Sequence, residues 1–101
     1  MKIVEKFMTR NDCFLVNEKI VPKGIMVHST ATPGVKAKEW FEMWNKSYEN
    51  KETDRQVCVH AFLDDEEIYQ YLPWNHRGWH AGGSANNTHI GFEICEPAGF
   101  T

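Results

Sequence analysis

Three large apolar residues in a row, Ile25–Val27, lead into His28, and the chain then breaks at a polar turn, "STATPG". A short, continuously apolar run of this kind predicts a buried strand rather than a half-exposed alternating one. Ahead of it the pattern is mixed. Phe14–Ile20 offers a short strand or hairpin, and Pro22 and Gly24 mark a turn. From Val35 to Tyr48 the period changes: Trp40, Trp44 and Tyr48 recur at i, i+4 and i+8, Phe41 lies beside them, and charged residues fill the remainder. This spacing predicts one amphipathic helix whose aromatic stripe packs on a sheet.

Beyond the polar run "NKETDR" the period becomes two. In "VCVHAFL", Cys58, His60 and Phe62 fall on one face of a strand, and Val57, Val59, Ala61 and Leu63 on the other. "DDEE" is a turn, and Glu67–Leu72 returns as the second arm of a hairpin. Pro73–Thr88 is a long loop rich in Gly and Asn, carrying Trp74, His76, Trp79 and His80. Loops of that length are usually functional or without fixed structure, and the aromatics favour the first. "HIGFEICEP" closes the pattern as a strand stopped by Pro97, with Gly91, Glu93 and Cys95 on one face. Strands mixed with one helix predict an α/β fold, a mixed-direction sheet with packed helices.

Composition narrows the function. A chain of 101 residues suits one small domain, 1–101. A net charge of −3 and a pI near 5.9 give no basic footprint, which excludes nucleic acid as the expected partner. No apolar run is long enough to span a membrane. "MKIVEKFMTRND" lacks the apolar core of a secretory signal peptide, so cytoplasmic synthesis without a signal is expected. The three cysteines, Cys13, Cys58 and Cys95, are odd in number and lack CxxC spacing, which argues against a disulfide framework or zinc knuckle. Cys58 and Cys95 read as small buried hydrophobes.

Several residues are candidates for chemistry. His28, at the end of a rigid strand, suits a zinc ligand, although a lone histidine is more often structural. Glu93 stands in an otherwise apolar strand, where a carboxylate is rare unless paired. It is either a general acid/base in a cleft or a surface ion pair, with Arg77 or a lysine as partner. Trp79 and His80, in "RGWHAGG", offer a flat apolar ring and an imidazole beside glycines that permit close approach of a ligand. The alternative is a loop folded over its own tryptophan. His60 reads as a satisfied core histidine and His76 as exposed.

Three segments in order, "MVHSTA", "VHAFLDDEEIYQYLPWNHRGWHAG" and "NNTHIGFEICEP", resemble the N-acetylmuramoyl-L-alanine amidase type 2 family of phage and clostridial cell-wall lysins, to which the peptidoglycan recognition proteins are related. The resemblance runs from about Asn11 to Pro97. It implies zinc-dependent hydrolysis of the amide between N-acetylmuramic acid and L-alanine in peptidoglycan, and action at the bacterial cell wall during lysis. His28 matches the first zinc ligand and Glu93 the catalytic acid/base. Trp79, His80 and Asn86 match residues around the substrate groove, and His60 a histidine of the preceding strand. Trp74 joins the other tryptophans as a substrate contact. Val59 stands where many members carry tyrosine, which shifts weight onto Glu93. The family's other zinc ligands lie well beyond the "IGFE" strand, whereas this chain stops at Thr101, eight residues past Glu93. The expectation is therefore the N-terminal part of the amidase fold. A peptidoglycan-binding module without activity, or an inactive fragment that self-associates, stands as the alternative.

Overall fold

The computed structural model describes residues 2–54 and 56–99. Five strands form one mixed sheet: β1 (Lys2–Glu5), β2 (Gly24–Ser29), β3 (Ala61–Leu63), β4 (Glu67–Gln70) and β5 (His89–Ile94), in spatial order β1-β4-β3-β5-β2. Only β3 and β4 are antiparallel; β1 runs parallel to β4, and β5 runs parallel to both β3 and β2. The helices are α1 (Asp12–Val16) and α2 (Trp40–Trp44), the second preceded by a 3₁₀ turn over Ala37–Glu39. The mixed sheet and the β3–β4 hairpin agree with the sequence pattern. Asp64 shapes the hairpin turn: its Oδ1 accepts the Glu66 and Glu67 amides, each at 2.8 Å, and its Oδ2 accepts the Ala37 amide at 2.9 Å. The turn thereby ties the hairpin to the start of the helical segment.

The core lies on the face covered by α2. Trp40 stacks on Phe62 with ring centres 5.2 Å apart, Trp44 meets Phe62 edge-on at 5.0 Å, and Tyr71 closes the cluster. The Tyr71 hydroxyl donates to the Ala37 carbonyl. Burial of that hydroxyl pushes its pKa up from the ordinary value.

Four local readings are corrected. The helix expected over Val35–Tyr48 is continuous only to Trp44. Past that point the chain's amides find side-chain acceptors instead: Ser47 N–H donates to Glu52, and the Tyr48 and Glu49 amides donate to Asp12. Tyr48 leaves the aromatic stripe and is exposed. The Phe14–Ile20 segment begins inside α1 rather than a strand, because Asn11 caps it by accepting the Cys13 amide at 2.9 Å. The left-handed Asn17, φ 58°, ends it. The strand expected from Val57 starts only at Ala61, because the backbone of Cys58 turns aside to bridge Trp79.

The fourth correction concerns β2. It is not a buried strand. It lies at the sheet edge, paired only to β5, and its exposure alternates: Ile25 is 62% and Val27 58% exposed, whereas Met26 and His28 are half-buried. Ile3, Ile25, Val27 and Ile94 make the face of the sheet opposite α2 an exposed apolar surface among the described residues.

Candidate functional site

His28 on β2 and Glu93 on β5 are direct partners in the parallel register. Register partners project to the same side of a sheet, so the two half-buried side chains stand next to each other. The same row continues through Phe62 and Tyr69, so the sheet passes from aromatic core to polar site along one line of residues. Glu93 therefore sits where its strand leaves the core on the α2 side. That location accounts for a carboxylate inside an apolar strand.

His80 reaches the same place from the loop after β4. Its Nδ1 lies 3.1 Å from His28 Nε2, and the rings meet edge-on at 5.3 Å. Glycines make the room. A Cβ at Gly91 would come within 2.6 Å of the His80 ring, and one at Gly78 within 2.9 Å. The imidazole thus fills the space above Gly91, two residues before Glu93 on the same face. His80 Nε2–H donates to the His89 carbonyl at 3.2 Å, which leaves Nδ1 as the lone-pair nitrogen facing His28. In this arrangement His28 Nε2 carries the shared proton. Burial lowers the pKa of His80, with the His89 hydrogen bond opposing, which favours the neutral ring.

Asn86 is buried behind the pair. Its Oδ1 accepts the backbone N–H groups of His80 and Ala81 at 3.1 and 2.9 Å, so it fixes the loop rather than lining a surface. His60 is fully buried, as a core histidine should be. Gly91 N–H donates to its Nδ1 at 3.0 Å, and its Nε2–H donates to the His76 carbonyl at 2.6 Å. Desolvation lowers its pKa to about 4, outweighing the His76 contact. Trp74 stacks on Phe92 at 5.8 Å and on His60 at 6.5 Å. Trp79 does not join the His28–His80 pair: its backbone pairs with Cys58, and it borders a separate cleft beside α1 with Asp12, Leu15 and Val16. His76, expected to be exposed, is 1% exposed; it donates from Nε2 to the Cys13 carbonyl and stacks on Phe14.

Two features escaped the sequence reading. Gly91 is one, although a glycine inside an apolar strand is a signal of close approach by another group. The other is a disulfide between Cys13 and Cys58, whose Cα atoms lie 6.4 Å apart, contrary to the reading of Cys58 as a free buried thiol. Two cysteines separated by 45 residues carry no sequence signal for pairing. Cys95 is the free thiol among the described residues, and burial pushes its pKa up to about 12.

Catalytic zinc takes three protein ligands and keeps a fourth position open. No group of three or more His, Cys, Asp or Glu side chains among the described residues is placed to hold one metal ion. His28 Nε2 and His80 Nδ1 are spent on each other in a hydrogen bond, and no third ligand stands beside them among the described residues. The described residues do not by themselves fit a complete zinc centre.

The chain resembles known proteins over most of its length. A family model described as N-acetylmuramoyl-L-alanine amidase matches residues 18–101. The N-acetylmuramoyl-L-alanine amidase XlyA of Bacillus subtilis is 43% identical over 82 residues, which are 78% of this chain and 26% of XlyA. CwlH of the same organism is 41% identical over 85 residues, 78% of this chain and 32% of CwlH. The solved catalytic domain of XlyA superposes with a TM-score of 0.82 at 35% identity, covering 98% of this chain and 64% of that one. A mutant endolysin from Bacillus subtilis gives 0.78 at 39%, covering 95% and 62%. The chain thus spans about a quarter to a third of these two relatives and just under two thirds of these two solved chains. With its fold, its motif order and a family match from residue 18 onward, the chain belongs to the N-acetylmuramoyl-L-alanine amidase family.

Proposed function

We propose that this chain is the part of a cell-wall amidase that carries its acid/base, acting on the amide between N-acetylmuramic acid and L-alanine of peptidoglycan. The observation that supports this most is the register pair His28–Glu93 with His80 closing on it. Amide hydrolysis needs a group that takes a proton from the attacking water and returns it to the leaving nitrogen. Glu93 has the chemistry for that step, and its strand position presents it beside His28 and His80. Neutral His80 holds His28 in one orientation. Trp74, stacked on Phe92 and His60, and Trp79, at the cleft beside α1, are the rings this proposal would use as substrate contacts.

Zinc dependence belongs to the same proposal. His28 is the ligand this chain would give, and the remaining ligands would come from outside the described residues. The incomplete ligand set also favours a second reading for these 101 residues, wall binding without cleavage. No helix among the described residues is long and apolar enough to cross a membrane, and action at the cell wall, during phage lysis, is part of the same proposal. Self-association through the exposed apolar face of the sheet belongs to the alternative of an inactive fragment, and sedimentation would reveal it as a dimer.

The test uses purified cell walls with the chain, zinc content measured in parallel. The expected result is wall binding that Glu93→Gln keeps, together with release of L-alanine amino groups, lost in Glu93→Gln, in a protein that joins this chain to the missing ligands. Binding without release, unchanged in Glu93→Gln and His28→Ala, selects the second reading. Absence of both binding and release overturns each.

A further inference from the structure

We propose that the Cys13–Cys58 disulfide is a redox latch on the segment that presents His80 to His28. Residues 75–79 are gripped from two sides. On one side stands the α1 region: Ile20 N–H donates to the Asn75 carbonyl at 2.8 Å, His76 Nε2–H donates to the Cys13 carbonyl at 2.9 Å, and Arg77 N–H donates to the Glu18 carbonyl at 2.8 Å. Phe14 stacks on the His76 ring, 5.7 Å between centres and nearly coplanar at 4°. On the other side Cys58 exchanges two backbone hydrogen bonds with Trp79, at 3.1 and 3.0 Å. The disulfide is the covalent bond that joins these two grips. The next residue is His80, set between Gly78 and Gly91 with its Nδ1 on His28.

Opening the bond is a two-electron step. A small dithiol gives up two electrons and two protons, the S–S bond breaks, Cys13 and Cys58 become thiols, and the dithiol closes to its own disulfide. Both cysteines are buried, 1% and 0% exposed, and Cys13 Sγ lies 3.4 Å from the Arg77 carbonyl, so a dithiol reaches the bond through a local opening that involves this segment. Once the bond is open, α1 and Cys58 are joined only through the hydrogen bonds and the Phe14–His76 stack on residues 75–79, and the segment that carries His80 over Gly91 is held less firmly. A chain made in a reducing compartment and released into oxidising surroundings would have this pair assembled on arrival. The latch rests on geometry; only its bearing on wall cleavage rests on the proposed function.

The test compares the 101-residue chain before and after dithiothreitol. Alkylation under denaturing conditions is expected to count one thiol before and three after. Amide exchange at Cys58 and Trp79 should then speed up at least tenfold, while Phe62 and Phe92 in the sheet keep their protection. The ¹⁵N imidazole signals of His28 and His80 should move and return on reoxidation. The double variant Cys13→Ser/Cys58→Ser should match the reduced protein. Three thiols before reduction, unchanged imidazole signals after it, or equal loss of protection across the whole sheet each overturn the latch, the last by making the bond a global staple. All these readouts are taken without cell walls, so a failure of the amidase reading leaves them intact.

Discussion

Strand β5 has two neighbours, and they treat it differently. On the β3 side, His60 is locked: fully buried, it accepts from Gly91 with one nitrogen and donates to the His76 carbonyl with the other. On the β2 side, His28 is half-buried on an edge strand, and its polar partner is another side chain, His80. The first imidazole is held by backbone on both nitrogens, so its tautomer and position are fixed by the fold. The second is held by another side chain, seated between Gly78 and Gly91. One flank of β5 is tied to backbone, and the other is tied side chain to side chain. That division suits a site whose reacting groups rest on a rigid frame.

The comparison breaks most sharply at His60. His60→Ala removes a fully buried ring and leaves the Gly91 N–H and His76 carbonyl without their partner. The expected loss is about 4 kcal/mol, from cavity and unsatisfied groups together. Urea unfolding reads it, and a loss below about 1 kcal/mol would mean that the β3 flank is no more rigid than the β2 flank.

Acid should attack the same flank. The unfolded chain takes up a proton on His60 near pH 6.5, whereas the folded chain resists until about pH 4. The unfolded state then binds more protons across this window, so stability falls as the pH drops from 6.5 towards 4 and levels off below. The window corresponds to roughly 3 kcal/mol. The lowered pKa of His80 acts in the same direction. In His60→Gln the fall should shrink; an equal fall in that variant would assign the acid sensitivity elsewhere.

The smallest effect belongs to the outer side of β2. Val27→Thr changes a side chain that is 58% exposed and keeps β-branching, so stability should shift by less than about 0.5 kcal/mol. A larger loss in thermal unfolding would show that this face is covered in solution, which is how self-association would announce itself.

What the sequence revealed depended on how local each feature is. The β3–β4 hairpin was legible because its arms, its turn and its period-two pattern lie within a few residues of one another. β5 was legible because Pro97 bounds an apolar run. The His28–Glu93 alignment followed from the resemblance of three separated motifs, since nothing in composition links residues 65 positions apart. β1 was missed because its partner β4 lies more than sixty residues away and the two meet in parallel register, Ile3 with Ile68. The edge position of β2 was also hidden: an apolar triplet reads alike whether or not a layer covers it. The helix was overestimated because its amphipathic period continues past Trp44 while Asp12 and Glu52, remote in sequence, capture the next amides.

Gly78 and Gly91 bear on anyone who would redesign this protein. Each leaves a gap the size of a methyl group on a different side of the His80 ring. Alanine at either position would press on the imidazole, its Cβ 2.6 Å away at Gly91 and 2.9 Å away at Gly78, and force it to shift, although neither glycine carries a functional group. Surveys of tolerance that score only reactive side chains would therefore miss two positions where an added methyl group disturbs the site.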